Sequence, residues 1–311
     1  MGNPTQNKSN FLVSCKKDFK RNYFIYGMLF PVLLFYIIFH YGPMYGAQIA
    51  FKDFNTLAGI WGSPWIGFSN FSSFFESYYF TRLLRNTLIL SVQSIVFTFP
   101  APIILALLLN EIRQNKLKRF VQTITYFPHF ISVVVISGII INFVKQDGLI
   151  TSILTLFNGA NTNLLLEPGN FRPIYIVSDI WQHVGWNSII YLAALASVDQ
   201  ELYEAAKIDG AGRVAQMMHI TIPSILPTIT ILLILRIGAV MNIGFEKVML
   251  LYNPTIYETA DVISTFVYRR GILEVAYGYS AAVGLFNSAI NCILVILTNQ
   301  FSRRYSETSL W

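Results

Sequence analysis

Six stretches of this chain, 23–41, 86–109, 126–144, 174–196, 226–245 and 276–301, are apolar over about 20 residues each. A hydrocarbon core offers no partner to an unpaired N–H or C=O, so a chain enters it only as helix or as closed barrel. Runs of this length therefore predict an all-α integral membrane protein of about six spans, with tails at 1–22 and 302–311 around a transmembrane domain at 23–301. Composition agrees: 54% of the 311 residues are hydrophobic and 12% charged, far from the balance of a soluble domain. No second globular domain fits between the spans.

The formal charge of +6 does not point to nucleic acid, because a nucleic-acid surface needs basic residues clustered on a soluble face. Lys and Arg instead sort by side. With the N-terminus inside, the inner segments hold Lys8, Lys16, Lys17, Lys20, Arg21, Arg113, Lys116, Lys118, Arg119, Lys207, Arg213, Arg303 and Arg304. The longer outer segments hold only Lys52, Arg82, Arg85, Lys145, Arg172, Lys247, Arg269 and Arg270, and Arg236 lies within a span. By the positive-inside rule both termini are predicted to be cytoplasmic. Cys15 and Cys292 are too far apart in character and position to suggest a disulfide or a metal site, and the residues before Cys15 form no apolar leader.

Two loops stand out. The first outer one, 42–85, is rich in aromatics such as Trp61, Trp65, Phe71, Phe75 and Tyr78, which suit either the membrane interface or an outer partner. The inner loop 197–223 reads as two short helices broken at Asp209 and Gly210, with Asp209 expected as an N-cap and Gly210 as a flexible turn. Pro223 and Pro227 are expected at the start of the next span, where a missing amide donor costs little. The loop carries Asp199, Glu201, Glu204 and Asp209 against Lys207 and Arg213. A helix lying on anionic lipid is usually basic, so this one is expected to meet a protein groove.

Glu204, Ala205, Ala206, then Asp209, Gly210, Ala211, then Ile220 and Pro223 resemble the EAA motif of binding-protein-dependent ABC importers. Met217 stands where that family usually has an aromatic residue. The span order, with Trp65, Gly67, Asn70 and Phe71, is similar to the maltose-type carbohydrate permeases. The run from Arg236 to Pro254 resembles their LplB-like branch. The resemblance implies the type I importer fold, in which this loop forms coupling helices seated on an ATPase dimer. It implies a second homologous permease, an extracellular solute-binding lipoprotein, and an oligosaccharide crossing a bacterial cytoplasmic membrane. ATP and magnesium would be bound by the partner ATPases, with no cofactor or metal in this chain.

Polar groups inside a bilayer are costly and mark functional candidates. Arg236 lies about 14 Å from the outer end of its predicted span and Trp186 about 18 Å from the same side, at 1.5 Å per residue. Gln182, His183, Trp186 and Ile190 share one helical face, as do Arg236, Ala239, Val240 and Ile243, with Asn242 beside them. These faces resemble the sugar-contacting faces of the maltose-type class. Other readings stay open: Trp186 also suits packing against a partner permease, and His183 a plain helix contact. Asp179 is expected to pair with Arg236 or with a neighbouring subunit, and Asn287 with Asn291 to hold helices together.

The P-loop pattern is absent. His40, His129, His183 and His219 lie in separate segments without metal spacing or a nucleophile motif, so enzymatic activity is not expected. The alternatives are a secondary transporter, which would need ion-coupling acids in the membrane, an importer permease for a non-sugar solute, and a plain membrane anchor, for which Arg236 would have no use.

Overall fold

The computed structural model describes residues 17–158, 161–242 and 244–305. Ile243, Cys15, Lys8, Lys16 and most of both tails lie outside them. The described residues are helical throughout apart from turns and one isolated backbone bridge, between Lys52 and Trp65.

The helices are α1 Tyr23–Phe51, α2 Ser69–Phe75, α3 Tyr78–Glu111, α4 Asn115–Tyr126, α5 Val133–Val144 and α6 Leu149–Asn158. There follow α7 Phe171–Ala196, α8 Gln200–Ile208, α9 Arg213–Gly238, α10 Phe245–Leu251, α11 Ile263–Tyr268 and α12 Tyr277–Tyr305. Five stretches are long and apolar enough to cross a membrane: Tyr23–Phe51, Tyr78–Glu111, Val133–Phe157, Arg213–Gly238 and Tyr277–Arg304. At 26 residues α7 is equally long, but Asp179, Gln182, His183 and Asn187 make it less apolar.

Proline sets the shape of three of these helices. Pro lacks an N–H and its ring collides with the carbonyl four residues back. In α1, α3 and α9 the chain answers with one widened turn, at Ile37–Tyr41, Ser94–Thr98 and Met217–Thr221. Each turn is closed by an i to i−5 bond, from Gly42, Phe99 and Ile222 respectively, and each is followed at the same register by Pro43, Pro100 or Pro223. The helix thus passes through the proline without ending. For this reason Pro223 and Pro227 lie within α9 rather than at the start of a span. The two segments expected on either side of Pro223 are one continuous helix.

The outer connections are folded. Asn70 ties α2 back to the end of α1, donating to the carbonyls of Ala50 and Lys52 at 2.9 and 3.2 Å. Phe74 is buried with Leu83, Met241, Ile263, Phe266 and Val283, while Trp61, Trp65, Phe68 and Tyr78 stay exposed. No side chain of the apolar stretch of α1 is buried within the chain.

The segment after α9 departs most from its reading as an outer loop. α10 joins a core with α3, α5 and α7 that includes Leu90, Ile140, Tyr175, Val248, Leu251 and Val262, while Ile263 and Phe266 of α11 pack with Phe74, Leu83 and Val283. Asp261, fully buried, accepts from Arg269 at 2.7 Å and from Arg82 at 3.4 Å. Burial pushes the Arg269 guanidinium down, but Asp261 and Tyr252 more than offset this and raise it above its ordinary range. Asn86 on α3 donates to the carbonyls of Glu258 and Asp261 and accepts from Arg172 at 2.9 Å. Three cations assigned to outer loops, Arg82, Lys247 and Arg269, are therefore tied to carboxylates inside the chain.

Leaving two guanidinium groups around a missing carboxylate is the costly way to break a buried ion pair, about 3–5 kcal/mol. Asp261→Ala is expected to abolish recovery of monodisperse protein from detergent-extracted membranes, read by size-exclusion chromatography. Asp53→Ala, in the first outer connection, is the comparison and is expected to leave recovery unchanged.

Candidate translocation cleft and coupling loop

Between α3, α7 and α9 lies a cleft of about 510 Å³. α7 contributes Tyr175, Asp179, His183, Asn187 and Ile190, α3 contributes Thr98 and Phe99, and α9 contributes Leu232, Leu235 and Arg236, with Ala239 and Gly244 beyond it. A niche of about 80 Å³ lined by Ser91, Ser94, Arg236 and Val240 adjoins it. α7 reaches this position because Gly185 lets it touch the backbone of α4: a Cβ there would lie 2.1 Å from the Thr125 carbonyl oxygen.

The cleft is open because α9 stops short. Its helix ends at Gly238, a short turn follows at Val240–Asn242, and the chain then re-enters helix at Phe245. The freed backbone groups are taken up by side chains of neighbouring helices. Asn291 of α12 accepts from the Met241 N–H at 3.0 Å, and Ser91 of α3 donates to the Val240 carbonyl.

Lys247, on α10, is 4% exposed and reaches α7. Its Nζ lies 3.7 Å from Asp179 Oδ1 and 3.2 Å from Gln182 Oε1. His183 Nδ1 lies 3.2 Å from the same Asp179 oxygen. Asp179 is thus matched by Lys247 and His183, not by Arg236. Arg236 donates to Ser94 Oγ at 2.5 Å and, among the described residues, makes no ion pair. The cleft therefore holds one guanidinium without a bonded counter-charge.

Of the side chains expected to line a path, His183, Arg236, Ala239 and Ile190 face the cleft and Val240 faces the niche. Gln182 is buried and turned to Lys247. Trp186 is not among the residues lining the cleft; its ring is stacked on His129 at 4.5 Å and 3°. Asn242 closes the turn after α9, and Ile243 is outside the described residues. Sequence reasoning missed Lys247, Ser94, Asn187 and His129. Lys247 reads as part of an outer segment because nothing in hydropathy signals that α10 folds back onto α7.

The acidic loop is an elbow with a defined backbone. Asp199 caps α8, accepting from the Glu201 N–H at 2.9 Å. At the other end Gly210 takes the left-handed conformation with φ +79°. The Gly210 N–H bonds to the Lys207 carbonyl at 3.1 Å and the Ala211 N–H to the Ala206 carbonyl at 2.8 Å, the paired bonds of a Schellman motif. Asp209 is consequently the C-cap of α8 and not an N-cap of the next helix, whose N-cap is Gly212. Gln216 Nε2 donates to the Ala211 carbonyl at 2.8 Å, and Tyr203 Oη and Thr221 Oγ1, 3.0 Å apart, join α8 to α9.

Glu204, Ala205, Asp209 and Pro223 are exposed; Ala206, Ala211 and Ile220 are half-buried. Met217 is also half-buried and lines an inner cleft of about 590 Å³ with Glu111, Arg113, Tyr203 and Lys207. The apolar knob on the outside is built by Ile208 at 87%, Val214 at 70% and Met218 at 53% exposure.

Residues 98–307 match the family described as binding-protein-dependent transport system inner membrane component. The chain belongs to that family. It is 45% identical over 300 residues to Protein LplB of Bacillus subtilis (strain 168), covering 96% of this chain and 94% of that one. It is equally identical over 289 residues, 93% of this chain and 90% of the other, to the polygalacturonan/rhamnogalacturonan transport system permease protein YteP of the same organism. A chain of the crystal structure of a bacterial ABC transporter involved in the import of the acidic polysaccharide alginate superposes with TM-score 0.87 at 43% identity. That superposition covers 94% of this chain and 99% of that one. A second structure, of a bacterial alginate ABC transporter in complex with an alginate pentasaccharide-bound periplasmic protein, gives 0.88 at 42% identity with the same coverage. As a member of this family the chain is an integral membrane permease subunit and not a catalytic one.

No atom lies within 4 Å of a Cβ built on Gly210, so a substitution there tests backbone conformation alone. Gly210→Ala is expected to weaken the elbow by about 1–2 kcal/mol, the cost of left-handed backbone for an L-residue, and Gly210→Asn by less. Faster amide hydrogen exchange at position 210 and at Ala211 in the alanine variant is the readout.

Proposed function

We propose that this chain is the oligosaccharide-conducting permease of an ATP-driven importer, that its cargo is acidic, and that Arg236 is the cargo-selecting charge. The observation that carries this reading is the guanidinium in a membrane-level cleft with Ser94 as its bonded partner and no ion pair among the described residues. A cation kept in low dielectric without a bonded counter-charge is costly. A carboxylate on the cargo would offset that cost through a charge-assisted, bidentate hydrogen bond. Alginate and polygalacturonan, the acidic polysaccharides handled by similar transport systems, are in keeping with such a cargo.

The rest of the proposed assembly follows the pattern of importers of this family. A solute-binding protein delivers the cargo from outside, a second permease completes the path, and two ATP-binding subunits, which hold ATP and magnesium, drive the cycle. Their contact is the elbow: Glu204 supplies the acidic contact and Ile208, Val214 and Met218 the apolar one. The basic run Arg113, Lys116, Lys118 and Arg119 supports an elbow and termini on the cytoplasmic side.

The test uses the complete complex in liposomes with labelled tetragalacturonate and labelled maltotetraose. The wild type is expected to take up the uronate in preference, and Arg236→Gln to lower uronate uptake at least about tenfold, the worth of one charge-assisted bond of 1.5–3 kcal/mol. Equal uptake of both sugars would refute an acidic cargo, and uptake by the isolated chain without ATPase subunits would refute the importer reading. Glu204→Ala together with Ile208→Asp is expected to remove the ATPase stimulation that loaded binding protein causes, measured as phosphate release.

A further inference from the structure

The inner cleft of about 590 Å³ beside the elbow is a different kind of cavity from the one around Arg236. Its volume lies in the range of small-molecule sites, about 300–1,000 Å³. Its wall is polar and comes from three elements. Glu111 ends α3 and Arg113 follows it, Tyr203 and Lys207 stand one turn apart on α8, and Arg213 and Gln216 open α9. Arg113, Lys207 and Arg213 bring three positive charges to this wall and Glu111 one negative charge.

Cations at the inner ends of membrane helices are common, and Lys207 also suits the last turn of α8, where the helix dipole favours one. Three observations go beyond that. Arg113 is distant in sequence from Lys207 and Arg213, yet all three line one cleft. None of them makes an ion pair among the described residues, although Glu204 stands three residues from Lys207, a spacing at which helix charges pair. Gly212, the N-cap of α9, lines the same cleft and supplies no side-chain bond to that cap, so the positive end of the helix dipole adds to the excess. The cleft is rich in donors and short of an acceptor.

We propose that this cleft binds a phosphate anion, carried by an anionic lipid of the inner leaflet or free in the cytoplasm. Basic pockets between membrane helices on the cytoplasmic side take anionic headgroups, and guanidinium groups meet phosphate oxygens in bidentate geometry. Arg113 and Arg213 supply two such forks and Lys207 a point charge. Three cations against one carboxylate leave an excess that matches a phosphate. Tyr203 and Gln216, bonded to Thr221 and to the Ala211 carbonyl, hold the α8 and α9 walls in place around it. A bound anion bridges Arg113, on the segment after α3, to cations on either side of the Gly210 turn, and so ties the elbow to the end of α3. The inference rests on the cytoplasmic placement of the elbow and not on the nature of the cargo.

Binding to the complete complex in nanodiscs tests this in two arms. In the first the lipid is phosphatidylcholine alone and the probe is radiolabelled inorganic phosphate. In the second the discs also contain phosphatidylglycerol, and the phosphatidylglycerol retained by the complex is counted by native mass spectrometry. The wild type is expected to bind in at least one arm, and Arg113→Gln with Arg213→Gln to weaken that binding at least about tenfold, the scale of losing a charge-assisted bond. Phosphate held by the ATP-binding subunits is common to both proteins and cancels in the difference. Lysine at the same two positions keeps the charge and is expected to retain part of the binding, which separates loss of the site from misassembly. Lys116→Gln, on α4 outside the cleft, is expected to change nothing. A loss in the phosphate arm identifies a free anion as the ligand, and a loss in the phosphatidylglycerol arm a lipid headgroup. No difference between wild type and double variant in either arm would overturn the proposal, as would an equal loss with Lys116→Gln, which reduces the effect to surface charge. Oligosaccharide uptake is a separate readout, and its failure in the wild type would bear on the importer reading alone.

Discussion

A polypeptide inside lipid has nowhere to send an unpaired N–H or C=O, and the architecture follows from how this chain meets that demand. At Pro43, Pro100 and Pro223 the lost donor is absorbed by a single widened turn ahead of the proline, so the helix continues. Where a helix truly stops, side chains from its neighbours take the freed groups. Asn291 and Ser91 serve the turn after α9, and Asn86 and Thr87 serve the segment that leads into α11. A break can therefore be placed only where polar side chains already stand. The cleft and its adjoining niche lie beside such a break, and Ser91, which serves it, lines the niche with Ser94.

Charge follows the same logic. A buried carboxylate is tolerated because cations are brought to it, Arg82 and Arg269 to Asp261, Lys247 to Asp179. Two of these pairs, Arg82–Asp261 and Lys247–Asp179, join elements distant in sequence and hold the 245–275 segment onto α3 and α7, while Arg269–Asp261 ties that segment to itself. Arg236 departs from the pattern. It borders Asp179 in the cleft, yet Lys247 and His183 occupy that carboxylate. Among the described residues the wall thus pairs Asp179 with Lys247 and His183 and leaves Arg236 without an ion pair, the imbalance on which the proposed acidic cargo rests.

The helical class was legible in the apolar run lengths, and the elbow in the spacing from Glu204 to Pro223. The turn glycine was legible as well, since Asp-Gly before a new helical run demands a flexible residue. The role of Asp209 was not: an aspartate between two helices looks alike as the C-cap of one and the N-cap of the next, and only the bonds of Gly210 and Ala211 decide between them. Hydropathy ran the fifth span past Gly238 because Ala239 to Ile243 are mostly apolar. It could not register that Asn291, on another helix, stabilises a turn there. Lys247 was misplaced by the same error, and Gln182 with it, because a side chain reads as lining a path until a buried partner is found for it. His129 carried a faint signal, a histidine directly after a proline inside an apolar run, and that signal gains meaning only when Gly185 brings α7 against α4.

Continuity of α9 links the two halves of the proposed machine. From Arg213 to Arg236 the chain is one helix, about 35 Å long at 1.5 Å per residue. Its N-terminal end is joined to α8 through Tyr203 and Thr221, and its other end carries the cleft guanidinium. A helix is stiff along its axis, so in the proposed cycle a displacement of the elbow would reach Arg236 through the helix itself, with one place at which it bends. The widened turn at Met217–Thr221 is the soft place in this rod. It sits directly beyond the elbow and next to the Tyr203 contact, so bending there changes the angle between α8 and the membrane-level part of α9. Pro223 makes that softness permanent, because no amide is available to restore the regular bond. A device that sends motion from elbow to cleft needs a rigid arm with a hinge at its driven end, and proline chemistry supplies the hinge.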